Sequence, residues 1–232
     1  MRARTKRASV PPMTTTYRLH NYWRSSASWR VRIALALKGI PYEYVPVNIV
    51  GDQAEQHRPE YRAINPMTQV PTLEVIEAGR SQFLGQSLAI IEYLDETLSN
   101  TARLLPSDPI ARARVRQISE GINAGIQPLQ NIPVLAEVER LGGDKSAWAK
   151  KWNERGLAAL EELARRTAGA FLVGDAPSMA DAFLVPQMYS ARRFGADVTP
   201  FTTLARIEKA CLAMPGLEAT RPEKQRDAVT ST

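Results

Sequence analysis

The stretch Arg24-Ser25-Ser26-Ala27-Ser28-Trp29-Arg30-Val31-Arg32-Ile33-Ala34-Leu35 carries a serine-rich turn between a short apolar strand and a helix. Backbone N–H groups at a helix start lack intrahelical partners and carry partial positive charge. With hydroxyl donors beside them they stabilise a thiolate or a carboxylate. Residues 28–38 read as an amphipathic helix with Val31, Ile33, Ala34 and Leu35 on its buried side. Taken alone, Ser25, Ser26 and Ser28 have two readings: ordinary helix caps, or donors to a bound anionic sulfur.

Residues 17–21, just before the turn, read as a strand, and Gly39 stops the helix after it. Residues 42–48 alternate large apolar with polar side chains as a second strand, which Pro46 places at an edge. A loop or irregular helix is expected over 52–63 and a third strand over 72–77. A turn at Ala78-Gly79-Arg80 then leads to a short strand over 82–84, and Ser87 starts a helix ending near residue 98. The order βαβαββα predicts an α/β layer. Residues 100–109 are polar and hold Pro106 and Pro109, so they are the expected linker between a first domain over 17–99 and a second over 110–220. The second reads as all helix. Residues 110–141 form a long helix or a pair broken at Pro128 and Pro133, and residues 146–168 form another with Trp148, Trp152, Leu157, Leu160 and Leu163 on its apolar side. Ser178-Met179-Ala180-Asp181 has the pattern of a capping box, a structural role. A last helix over 202–214 is stopped by Pro215-Gly216, and residues 221–232 are expected to form a mobile tail.

Several motifs, in order, give this chain its resemblance to a known family. They are residues 24–38, Asn65-Pro66-Met67-Thr68-Gln69-Val70-Pro71-Thr72-Leu73, Gln86-Ser87-Leu88-Ala89-Ile90, Gly125-Ile126-Gln127-Pro128-Leu129-Gln130-Asn131 and Leu184-Val185-Pro186-Gln187. Over residues 17–214 the chain resembles the zeta-class glutathione transferases, which include maleylacetoacetate and maleylpyruvate isomerases. The resemblance implies an N-terminal thioredoxin-like domain, a C-terminal helical glutathione-transferase domain, glutathione as cofactor and a cytoplasmic homodimer. It implies glutathione-dependent cis–trans isomerisation of a maleyl-type diacid such as 4-maleylacetoacetate. The alternatives are maleylpyruvate as substrate, or conjugation of small haloacids and other electrophiles.

The same resemblance assigns roles. Ser25, then Ser26, would lower the pKa of the glutathione thiol, which otherwise lies near ~8.5 as for cysteine. Pro71 would follow a cis bond, with Val70 pairing its main chain to the cysteinyl unit, and Gln86 and Ser87 would take the γ-glutamyl carboxylate. Gln56, Gln127 and Asn131 would line the cleft. Arg193 and Arg24 would bind substrate carboxylates, since guanidinium groups match them in bidentate geometry. Ala27 departs from the family, many of whose members carry cysteine there, so a mechanism requiring a protein thiol at this position is excluded. Ala27 itself is assigned to the cofactor site, where its methyl group can neither donate a hydrogen bond nor act as a nucleophile.

The chain has 232 residues, 44% hydrophobic and 23% charged, ordinary values for a globular protein long enough to bury a substantial core. Its net charge of +6 owes much to Arg2, Arg4, Lys6 and Arg7, and the alternating Arg112, Arg114 and Arg116 read as solvated helix surface rather than a nucleic-acid stripe. Residues 1–16 read as a disordered extension, a weak presequence or a stretch ahead of an internal start at Met13. A single cysteine, Cys211, fits a reducing compartment and a buried apolar role. No stretch has the length of a membrane span. His20 and His57 form no ligand pattern with Cys211, so no metal site is expected.

Overall fold

The computed structural model describes residues 15–52 and 54–229, and the expectation for residues 1–14 lies outside them. Strands β1 (Thr16–Asn21), β2 (Glu43–Pro46), β3 (Thr72–Glu77) and β4 (Arg80–Gly85) form one sheet in the order β2-β1-β3-β4. β1 and β2 are parallel and joined through helix α1 (Ser26–Lys38), while β3 is antiparallel to both β1 and β4. The hairpin between β3 and β4 has a two-residue loop, Ala78-Gly79, with φ of 50° and 73°. Both residues must be left-handed there because that turn's twist matches the twist of the strands. Pro46 sits on edge strand β2, which pairs with β1 alone. Helices α2 (Pro59–Ile64) and α3 (Ser87–Thr97) complete this half, which is the thioredoxin-like layer.

The rest is helical: α4 (Pro109–Gly125), α5 (Ile132–Arg140), α6 (Lys145–Thr167), α7 (Met179–Arg193) and α8 (Thr202–Leu212). The expected break near Pro128 and Pro133 is a short 3₁₀ segment, Gln127–Gln130, between α4 and α5. At the start of α7, Ser178 and Asp181 form the reciprocal capping box. Cys211 is 2% exposed. No helix among the described residues is long and apolar enough to cross a membrane.

Three expectations are corrected. α1 is not amphipathic, because every residue from Ser28 to Leu35 is buried, including Arg30 and Arg32. It lies between α3 and α7, so it has little solvent face. It also starts at Ser26 rather than Ser28. Residues 221–229 are docked rather than mobile, and the expectation for 230–232 lies outside the described residues. Pro222 is buried, and the Asp227 carboxylate accepts from the Trp23 N–H at 3.2 Å and from the Tyr44 hydroxyl.

A single apolar core runs through both halves, from Leu19, Val31 and Leu73 to Ile118, Phe183 and Leu204. A buried ion pair fixes the crossing between them. Lys38 Nζ lies 3.0 Å from Asp95 Oδ1, and the Asp95 carboxylate also accepts from the N–H groups of Leu104 and Leu105 at 2.7 and 3.1 Å. Asp95→Ala strands a buried ammonium and two N–H groups, so a stability loss of about 3–5 kcal/mol is expected. Urea unfolding of the two proteins measures it; a loss below about 1 kcal/mol, the range of exposed pairs, contradicts the assignment.

Candidate active site

Two helix starts, those of α1 and α3, open on a cavity of about 260 Å³ between the sheet half and the helical half. At the first, the Ser25 Oγ caps α1 by accepting from the Ser28 N–H at 3.2 Å. Its oxygen is thereby engaged as an acceptor, and its O–H remains to donate. The N–H groups of Ser26 and Ala27 are unbonded among the described residues, as the first turn of a helix requires. Ser25 and Ala27 line the cavity; Ser26 does not.

At the second start the helix begins at Ser87, as expected, and its cap is Gln86, with φ of 67° and ψ of 113°. A side-chain-bearing residue held there stores roughly 1–3 kcal/mol of strain. Ser87 is the first helical residue, and its Oγ accepts from Arg30 Nη1 at 3.1 Å. Both Gln86 and Ser87 line the cavity, as do Val70 and Pro71, whose peptide bond is cis. Neither backbone polar group of Val70 is bonded among the described residues. The preceding carbonyl of Gln69 is held by the Tyr61 hydroxyl at 2.7 Å and by Asn65 Nδ2 at 2.8 Å, so the loop is fixed from behind.

Gln127 and Asn131 form part of the opposite wall. That wall is anchored by a buried amide chain: Asn153 Nδ2 donates to Gln130 Oε1 at 2.5 Å, and Gln187 Nε2 donates to Asn153 Oδ1 at 2.7 Å. The Leu184-Val185-Pro186-Gln187 motif thus supports the cavity without touching it. Gln56 also lines the cavity; its Nε2 donates to the Ile49 carbonyl at 3.2 Å, while its buried Oε1 has no partner among the described residues.

Arg24 and Arg193 do not line this cavity. Arg24 directly precedes the cavity-lining Ser25, and its charge is felt at Arg193. Burial holds the Arg193 guanidinium below its usual pKa, and the like charge of Arg24 adds to the shift. Each lies over the aromatic ring next to it in sequence, Arg24 at 5.1 Å from Trp23 and Arg193 at 4.7 Å from Phe194. Neither has a carboxylate partner among the described residues, whereas neighbouring Arg192 is held by Glu208 at 2.7 Å. Asp197, the acid closest in sequence to Arg193, accepts instead from Thr199. A larger cavity, about 680 Å³, opens behind Trp29 and Tyr189 against α8, and touches neither helix start.

Sequence reasoning missed Arg30, Asn123, His57 and Thr68, all of which line the first cavity. Arg30 was legible in one respect: α1 holds no acidic residue, so a buried cation on it has no partner in its own helix. No acidic side chain lines the cavity among the described residues. Free N–H groups, two hydroxyls with hydrogens to give, an unbonded backbone at Val70 and a buried cation make a site for an extended anionic ligand. That donor set fits a peptide carrying a thiol and carboxylates.

Residues 24–97 match the model of the glutathione S-transferase N-terminal domain family. The chain is 48% identical over 209 residues to maleylacetoacetate isomerase of Rattus norvegicus, covering 90% of this chain and 94% of that one. It is 37% identical to a maleylpyruvate isomerase described as a bacterial zeta-class glutathione S-transferase, with a TM-score of 0.84 over 91% of this chain and 100% of that one. The chain belongs to the zeta class of glutathione S-transferases. A further structure, maleylacetoacetate isomerase from Anaeromyxobacter dehalogenans with glutathione in its active site, is 48% identical, with a TM-score of 0.86 over 94% of this chain and 100% of that one. That enzyme has also been crystallised with dicarboxyethyl glutathione and citrate in the active site.

Proposed function

We propose that this protein is a glutathione-dependent cis–trans isomerase of maleyl-type diacids, converting 4-maleylacetoacetate to 4-fumarylacetoacetate. The observation that carries the reading is the pairing of two features: a cavity with unengaged donors at two helix starts, and two electrostatically coupled guanidinium groups, Arg24 next in sequence to the cavity-lining Ser25 and Arg193, with no carboxylate partner among the described residues. Glutathione supplies the thiol, whose reversible addition to a conjugated double bond permits rotation about it.

The chain's own residues do the rest. Ser25 donates its hydroxyl hydrogen toward the thiol site, and the Ser26 and Ala27 N–H groups add the positive end of α1, favouring the thiolate. Val70 pairs its main chain with the cysteinyl unit in the manner of an added strand. Gln86 and Ser87 take the γ-glutamyl carboxylate, and Gln56, Gln127 and Asn131 complete the cleft. Arg193 and Arg24 hold the substrate carboxylates, because a dianion relieves the repulsion between two adjacent guanidinium groups. Ser26 supports the turn through its backbone. The same reading divides the chain into a glutathione-binding domain over 17–99 and a substrate domain over 110–220, and makes the enzyme a cytoplasmic homodimer.

The test mixes purified protein with catalytic glutathione and a cis diketo acid, maleylacetone or maleylpyruvate, while ultraviolet absorbance and total free thiol are followed together. Loss of the cis form through many turnovers at constant thiol supports the isomerase, and the faster substrate names the acid. Thiol consumed in step with substrate assigns the protein to conjugation instead.

A further inference from the structure

α1 carries two buried arginines that differ in one respect. Arg32 is fully satisfied by neutral oxygens: Nε donates to the Thr220 carbonyl at 3.1 Å, Nη1 to Asn21 Oδ1 at 2.9 Å and Nη2 to the Trp23 carbonyl at 2.9 Å. Arg30 is 1% exposed, and only Nη1 is engaged, to Ser87 Oγ at 3.1 Å and Asn123 Oδ1 at 2.9 Å. Its Nε and Nη2 are buried without partners among the described residues, and its guanidinium lies 4.3 Å from the centre of the Phe183 ring. Asn123 passes the contact outward, donating from Nδ2 to Glu120 Oε2 at 3.3 Å, but no carboxylate reaches Arg30. A buried cation without a counter-ion is costly unless something anionic completes it. Burial accordingly pushes the Arg30 pKa down to about 9.

The direction of the Arg30–Ser87 bond decides what Ser87 can do. A hydroxyl whose oxygen accepts from a guanidinium keeps its hydrogen for another acceptor, and within the cavity that acceptor is the ligand. We propose that Arg30 is a positioning residue: it reserves the Ser87 O–H for the α-carboxylate of the γ-glutamyl unit, and that carboxylate supplies the anion this buried cation lacks. The inference rests on the glutathione reading and adds to it the residue that makes this end of the cavity select a carboxylate.

The test measures binding by calorimetry for glutathione and for γ-aminobutyryl-cysteinyl-glycine, the same tripeptide without that carboxylate, on the wild type, Arg30→Met and Asn123→Asp. Removing the carboxylate is expected to weaken wild-type binding about 30-fold, the size of a hydrogen bond to a charged group, and Arg30→Met binding less than about 3-fold. Asn123→Asp is near-isosteric and gives Arg30 a resident anion. It removes the donation to Glu120, and it is expected to weaken glutathione binding about 10-fold while leaving the affinity for the tripeptide without the carboxylate within about 3-fold, a pairing that a purely structural arginine does not produce. Equal loss of the carboxylate's contribution in the wild type and Arg30→Met overturns the proposal. So does unchanged glutathione affinity in Asn123→Asp, which decides alone if Arg30→Met does not fold. A wild type that binds neither tripeptide removes the glutathione reading and this inference with it.

Discussion

Ser25→Ala is expected to lower kcat/KM for isomerisation about 100- to 1,000-fold at neutral pH, in the range measured when a single anion-stabilising donor is removed. Two effects are mixed in this variant and separate by measurement. The Ser25 Oγ caps α1 through the Ser28 N–H, so its loss also destabilises the fold by about 1 kcal/mol, which unfolding reports directly. The catalytic effect has its own signature in the pH profile. With the O–H donor present, the anionic form of the thiol is favoured and the acidic limb of kcat/KM lies below the ordinary thiol pKa. Without it, that limb moves up toward about 8.5, so the deficit shrinks as pH rises. Ser25→Thr keeps the hydroxyl and the cap and should recover most of the activity. A Ser25→Ala enzyme within about 5-fold of wild type at every pH removes Ser25 from the thiol-activating role and leaves it a cap.

Arg193→Ala is expected to lower kcat/KM for a maleyl dianion about 100-fold, mainly through KM, while changing turnover of a small neutral electrophile less than about 5-fold. Its strength as evidence comes from the contrast between substrates, since misfolding or a displaced α7 impairs both alike. Arg24→Ala should act in the same direction. The double variant should lose less than the product of the single losses, because removing one guanidinium relieves repulsion on the other. Equal losses for dianion and neutral substrate would place both residues outside the carboxylate site. Arg193→Lys tests geometry rather than charge: an ammonium retains attraction but not bidentate pairing, so an intermediate KM is expected.

The sequence alone determined the order βαβαββα, the helical second half, the hairpin at Ala78-Gly79, the edge position of Pro46 and the capping box at Ser178. Each is written in local chemistry: side-chain period, residues that break or cap a helix, and the few that accept positive φ. The family resemblance, rather than local chemistry, pointed to further residues that line the cavity, such as Ser25, Val70, Ser87 and Gln127. Tertiary structure decided what local pattern does not encode. Seen in one dimension, Arg30 and Arg32 are two alternating cations in a helix expected to keep a solvent side, but packing against α3 and α7 buries every residue from Ser28 to Leu35, and only contacts from Ser87, Asn123 and Thr220 show that one is satisfied and the other is not. The docking of residues 221–227 depends on the Trp23 N–H and the Tyr44 hydroxyl, groups about 200 positions away. Ser25 and Ser26 are alike as residue types, yet one caps the helix and faces the cavity while the other begins the first turn, because the chain is extended at Ser25 and enters helical geometry only at Ser26.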